Sequence, residues 1–167
     1  MSSAKDWERG YARQAQADFT TFQSLQSVRG IPECHRLLFL QMACEKLCKA
    51  HLIAGGADPE ALQTSHGYIA NPLPVVVRQQ IIFLRADVTR MTGVLLLTRH
   101  LAREIELLNP AVDRAGGRPD NCEYPWDQGG GLHSPLDWSF SPSHLLARKA
   151  GRTFLKLVRG AIDRLQT

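Results

Sequence analysis

Apolar side chains recur every three or four positions through most of this chain, the spacing of helices that bury one face. Over residues 4–28 the repeat runs Trp7, Tyr11, Ala15, Phe19, Phe22 and Leu25, and Gly30-Ile31-Pro32 ends it. Pro32 and Glu33 suit the first turn of a second helix. Proline needs no amide partner there, and a carboxylate favours the positive end of the helix dipole. That helix is predicted from about Pro32 to Ala54, with Gly55-Gly56 as its stop. A polar connection then leads to the punctuation of Asn71-Pro72-Leu73-Pro74. From about Pro74 to Leu108 the repeat resumes at Val77, Ile81, Leu84, Val88, Met91, Leu95, Leu101 and Ile105. It predicts one long helix, bent or broken at Gly93 and ended by Asn109-Pro110. A last helix over 143–165 places Phe154, Val158, Ala161 and Leu165 on its apolar side.

Residues 109–143 do not fit the helical pattern. Glycines and prolines cluster in Gly116-Gly117-Arg118-Pro119, in Gly129-Gly130-Gly131 and at Pro125, Pro135 and Pro142. Tyr124, Trp126, Trp138 and Phe140 lie among them, an aromatic density that predicts an ordered, packed loop. No internal repeat and no alternating strand pattern is evident. The expected fold is all-α: a single domain over 1–167, a four- to five-helix up-and-down bundle with a long aromatic-rich loop before the last helix.

Composition narrows the class further. At 167 residues, 44% hydrophobic and 22% charged, the chain is an ordinary globule with one core. Its start is polar and its apolar runs are short, so neither a signal peptide nor a membrane span is expected, and a cytoplasmic location is. In that setting Cys34, Cys44, Cys48 and Cys122 are expected as reduced thiols. A net charge of +4 is a mild bias toward anionic partners.

The densest chemistry lies in Cys34-His35-Arg36 through Lys49-Ala50, followed by Ser65-His66. A helix, a tight break and a second helix reading Gln41-x-x-x-Glu45-Lys46-x-x-Lys49-Ala50, with Ser65-His66 after the next loop, resembles the HEPN domain family over roughly residues 15–70. The resemblance implies a helical bundle that commonly forms homodimers. Many members are metal-independent ribonucleases of toxin–antitoxin and antiviral systems, and others are inactive partner-binding or nucleotide-linked domains. The active ones carry an Arg-x(4–6)-His motif beside the last long helix. Arginine there stabilises charge on the reacting phosphate and histidine moves the proton. Here only Arg29 and His35 have that spacing, and they sit at the start of the second helix.

Individual residues carry competing readings. Glu45 is expected to be tied to His66, with Lys46 and Lys49 extended outward; alternatively, Glu45 and His66 line a ligand site. Cys44, Cys48 and His51 share a helix face, yet no second ligand cluster follows, so no metal and no cofactor is expected. Arg148, Arg152, Lys156 and Arg159 fall within an arc of about 80° on the last helix. They form either a solvated face with Asp163 as a local partner or a stripe facing phosphate. Asn121, Glu123 and Trp126 in the loop could shape a polar pocket against Arg148 and Arg152, or act as a lid that caps turns. Arg99, His100 and Arg103 are expected to pair at the surface with Glu104 and Glu106.

Three functions follow. The first is a HEPN-like, RNA- or nucleotide-associated component of a bacterial stress or defence system that lacks the usual ribonuclease motif. The second is an active metal-independent endoribonuclease using Arg29 and His35. The third is an interaction module whose aromatic loop grips a protein partner, one encoded nearby.

Overall fold

The computed structural model describes residues 2–112 and 118–166. Helix α1 spans Ala4–Gln26 and starts with a capping box, in which the Ser3 side chain accepts from the Asp6 amide and Asp6 accepts from Ser3 N–H. Its buried side is Ala12, Ala15, Phe19 and Phe22. Helix α2, Glu33–Ala54, packs antiparallel along α1 after the short turn at 27–32. It buries side chains all round its circumference, because it also touches α4, α5, α6 and α7 and is the central element of the molecule.

A short α3, Pro59–Gln63, is capped by Asp58, and α4 follows at Pro72–Phe83. Here the structure departs from the single long helix expected over 74–108. The chain breaks at 84–91, and α5 runs from Thr92 to Glu106 with Gly93 inside it. Arg85 takes φ +54, a left-handed conformation that ends α4, and Asp87 accepts from the Thr89 amide to turn the chain back. Val88 and Met91 still pack on the core, so the apolar repeat runs through the break without recording it.

The segment before the last helix is ordered where it is described. Trp126–Gln128 (β1) and Gly131–His133 (β2) form a short antiparallel hairpin, in a segment where the sequence shows no alternating strand pattern. Gly129 and Gly130 connect them at φ +64 and +78, the positive values that a two-residue hairpin turn with the twist of its strands requires. Gly116 and Gly117, named above, lie outside the described residues. The predicted last helix is two: α6 at Ser141–Leu146 and α7 at Lys149–Arg164. Gly151 permits the sharp junction, since a Cβ there would lie 2.2 Å from the Leu145 carbonyl oxygen.

The molecule is thus mostly helical, with five helices of twelve or more residues among the described residues. One core joins Phe19, Leu40, Leu73, Ile105, Phe140 and Phe154, all fully buried, from both ends of the sequence. Among the described residues no helix is long and apolar enough to cross a membrane.

Candidate functional site

Two polar assemblies stand out against this core. The first lies inside the α1–α2 hairpin. Glu45, 7% exposed, receives hydrogen bonds from Gln41 Nε2 at 2.9 Å and from Lys49 Nζ at 2.8 Å. His66 Nδ1 lies 3.2 Å from the same carboxylate. The link from Glu45 to His66 is therefore the expected one. Lys49 differs: it is buried, 4% exposed, rather than extended outward. Its ammonium sits 5.8 Å from the Tyr11 ring centre and 6.0 Å from that of Tyr68, so two aromatic faces share its charge with the carboxylate. Lys46 does reach toward the surface, where it pairs with Asp18 of α1. Burial, and then the Glu45 charge, raises the Tyr11 hydroxyl above the ordinary tyrosine value.

This network also fixes the α3–α4 connection. His66 ties its start to α2, and Glu106 of α5 accepts from the amides of Ile69 (2.7 Å) and Ala70 (2.9 Å). Glu106 is thus occupied by backbone and Glu104 by Arg118, at 2.8 Å, so neither is the surface partner expected for Arg99 and Arg103. Both carboxylates turn inward because loop segments bring them donors that helix periodicity cannot reveal.

The second assembly is basic. A groove of about 360 Å³ opens between α1, α2 and the α6–α7 junction. Phe22, Leu37, Leu146 and Leu155 supply its apolar lining, and Arg36 and Arg152 its positive charge. Glu33 also lines it, but its carboxylate is engaged by the Phe140 amide at 3.1 Å, which anchors α6 to the start of α2. The Arg152 guanidinium donates to the Ala147 carbonyl at the end of α6, which holds it in place. Arg148 and Lys156 make no ion pair among the described residues, whereas Arg159 is bound by Asp163 at 2.9 Å and Gln23 at 2.8 Å. The predicted stripe therefore divides: Arg159 is paired locally, as one reading held, and the amino-terminal part of α7 keeps its charge. Arg36 was not singled out from the sequence. Its place beside Arg152 depends on the α6–α7 break, which the periodicity does not record.

Arg29 lies in the exposed turn between α1 and α2, and His35 is exposed in the first turn of α2. Neither side chain makes a hydrogen bond or ion pair among the described residues. Asn121 uses its whole side chain within its own loop. Its Oδ1 accepts from the amides of Glu123 and Tyr124, and its Nδ2 donates to the carbonyls of Pro119 and Tyr124. Glu123 is exposed. Trp126 is buried, stacked on His133 at 6.0 Å and edge-on to Trp138 at 5.2 Å, so its ring packs the hairpin onto the loop.

All four cysteines are buried. Burial pushes the Cys44 thiol up to about 12 and raises those of Cys34, Cys48 and Cys122 as well, so they behave as small core side chains. His51, half-buried near Arg164, is held toward its neutral form first by burial and then by that charge.

No protein-family model, no curated protein and no solved structure matches the chain.

Proposed function

We propose that this chain is a HEPN-like helical module that holds RNA or a nucleotide without cutting it, as a component of a bacterial stress or defence system. The observation that carries the reading is the groove in which Arg36 and Arg152 share one wall-to-wall cleft, both free of carboxylate partners among the described residues. Guanidinium groups match phosphate in shape and charge, and two at one cleft suit an anionic backbone better than an isolated surface arginine does. Arg148 and Lys156 extend the positive surface along α7.

The HEPN-like architecture is supported by the meeting of buried Gln41, Glu45 and Lys49 with half-buried His66 in one network, since these are four of the residues on which the resemblance rests. Binding without cleavage is favoured over catalysis by the position of Arg29 and His35. The two sit in the α1–α2 turn and the first turn of α2, not beside the last long helix where the active members of the family carry their Arg-x(4–6)-His motif. Within this reading two copies pair, as the resemblance implies, and the mass of the purified protein in solution tests that step.

The direct test is binding of a labelled single-stranded RNA, compared with that of ADP. Replacing Arg36 and Arg152 together by Glu should weaken binding by at least about tenfold, the scale of losing two charge-assisted phosphate contacts. Unchanged binding in the folded variant would sink the proposal.

A further inference from the structure

The α4–α5 hairpin leaves an apolar face uncovered. Five of the nine large apolar side chains exposed among the described residues belong to it or its turn: Val75, Ile82, Phe83, Leu84 and Leu96. Ile82 is 56% exposed. A groove of about 530 Å³ runs between the two helices, with Val75, Ile82, Val88 and Leu95 as its aliphatic floor and Arg78 and Arg99 at its edges. No acidic residue lines it, and neither arginine makes an ion pair among the described residues.

We propose that this groove docks an amphipathic helix of a partner protein, one that carries an aliphatic stripe flanked by Asp or Glu. The aliphatic floor accepts side chains spaced at i, i+3, i+4 and i+7, as in other helix-in-groove contacts. The arginines add a charge requirement on either side of that stripe. A second copy of this chain fits less well. A twofold contact brings a patch against itself, which would set Arg78 and Arg99 against their own counterparts with no carboxylate between them. RNA fits less well too, because among the described residues no aromatic ring lines the groove to stack a base.

The test uses the full chain and three synthetic helical peptides of about sixteen residues, roughly the length of α5. One carries a leucine stripe flanked by Glu, one the same stripe flanked by Lys, and one Ser in place of each Leu. Fluorescence anisotropy should show the Glu-flanked peptide binding at least about tenfold tighter than the other two. Arg78→Glu with Arg99→Glu should invert the preference between Glu and Lys flanks, and Ile82→Glu should abolish binding of both. All three positions are exposed, and a native thermal transition confirms that each variant is folded. Equal binding of the Glu and Lys peptides would overturn the proposal. So would displacement of the Glu peptide by single-stranded RNA, or a dimer of the chain that Ile82→Glu disperses.

Discussion

Lys49→Met should be among the most damaging single substitutions in the chain, although it replaces a charge by an apolar side chain of similar length. At 2.8 Å, and with an effective dielectric constant near 20, the Lys49–Glu45 attraction is about 6 kcal/mol before desolvation. Withdrawing both groups from water offsets most of that sum, so the pair adds little net stability. The substitution does not remove the desolvation of Glu45, which stays buried with only Gln41 and His66 as donors. Breaking one side of a buried pair costs about 3–5 kcal/mol, and the two remaining donors place this case near 3. Glu45→Gln should cost a similar amount by stranding the ammonium. Glu45→Gln combined with Lys49→Met removes both charges, and should recover about half of the summed loss or more. Urea unfolding followed by circular dichroism measures all four states of this cycle. A loss below about 1 kcal/mol for Lys49→Met, or strict additivity in the double variant, would refute the reasoning.

Other outcomes follow from the same physics. Arg118 bridges two buried carboxylates, Glu104 at 2.8 Å and Asp120 at 3.0 Å, so Arg118→Ala should cost about 2–3 kcal/mol, and neutral Glu104→Gln with Asp120→Asn should restore part of it. A loss under about 0.5 kcal/mol in urea unfolding would contradict that role. Gly151→Ala should destabilise by about 2 kcal/mol or more despite its better helix propensity, because the new methyl meets the backbone of Leu145 and Leu146; a raised melting temperature would show that the junction yields. The cysteine thiols are raised in the folded chain, so the stability they contribute is fully present below about pH 9 and is lost as pH climbs toward 12, the Cys44 value. Native protein at pH 8 should leave an aromatic disulfide reagent unreacted, all four thiols should react in guanidinium, and Cys44→Ala should flatten the alkaline decline. Rapid titration of native thiols, or an unchanged decline, would count against this.

The parts of this architecture that were legible in the sequence are those in which one helix face alone meets the core. Phe19 and Phe22 on α1, and Pro32 before α2, announced their helices through spacing and turn chemistry. The breaks at 84–91 and 147–148 were not legible, because Val88, Met91 and Phe154 keep their apolar spacing while the chain turns. Arg85 adopts a left-handed backbone that its residue type does not advertise. The hairpin had a readable signal in Gly129-Gly130, but three-residue strands are too short to display alternation. Within the candidate site, the meeting of Glu45 with His66 was readable from a helix carrying a buried acid. The inward turn of Lys49 was not: it depends on Tyr11 and Tyr68 arriving from other elements. Arg36 beside Arg152 likewise needs three elements to converge, and no local pattern carries that.

The central claim, that the chain grips an anionic strand at the Arg36–Arg152 groove and leaves it intact, is tested most directly by one titration. Binding of a labelled single-stranded RNA is measured across a range of salt concentrations, and the recovered RNA is run on a gel. Affinity should fall with salt, and the variant with both arginines changed to Gln should lose about 1.4 from the slope of log affinity against log salt, near 0.7 for each phosphate contact. The RNA should be recovered at full length. A slope unaltered by the two substitutions, or RNA cut by the wild-type chain and spared by His35→Ala, would contradict the account.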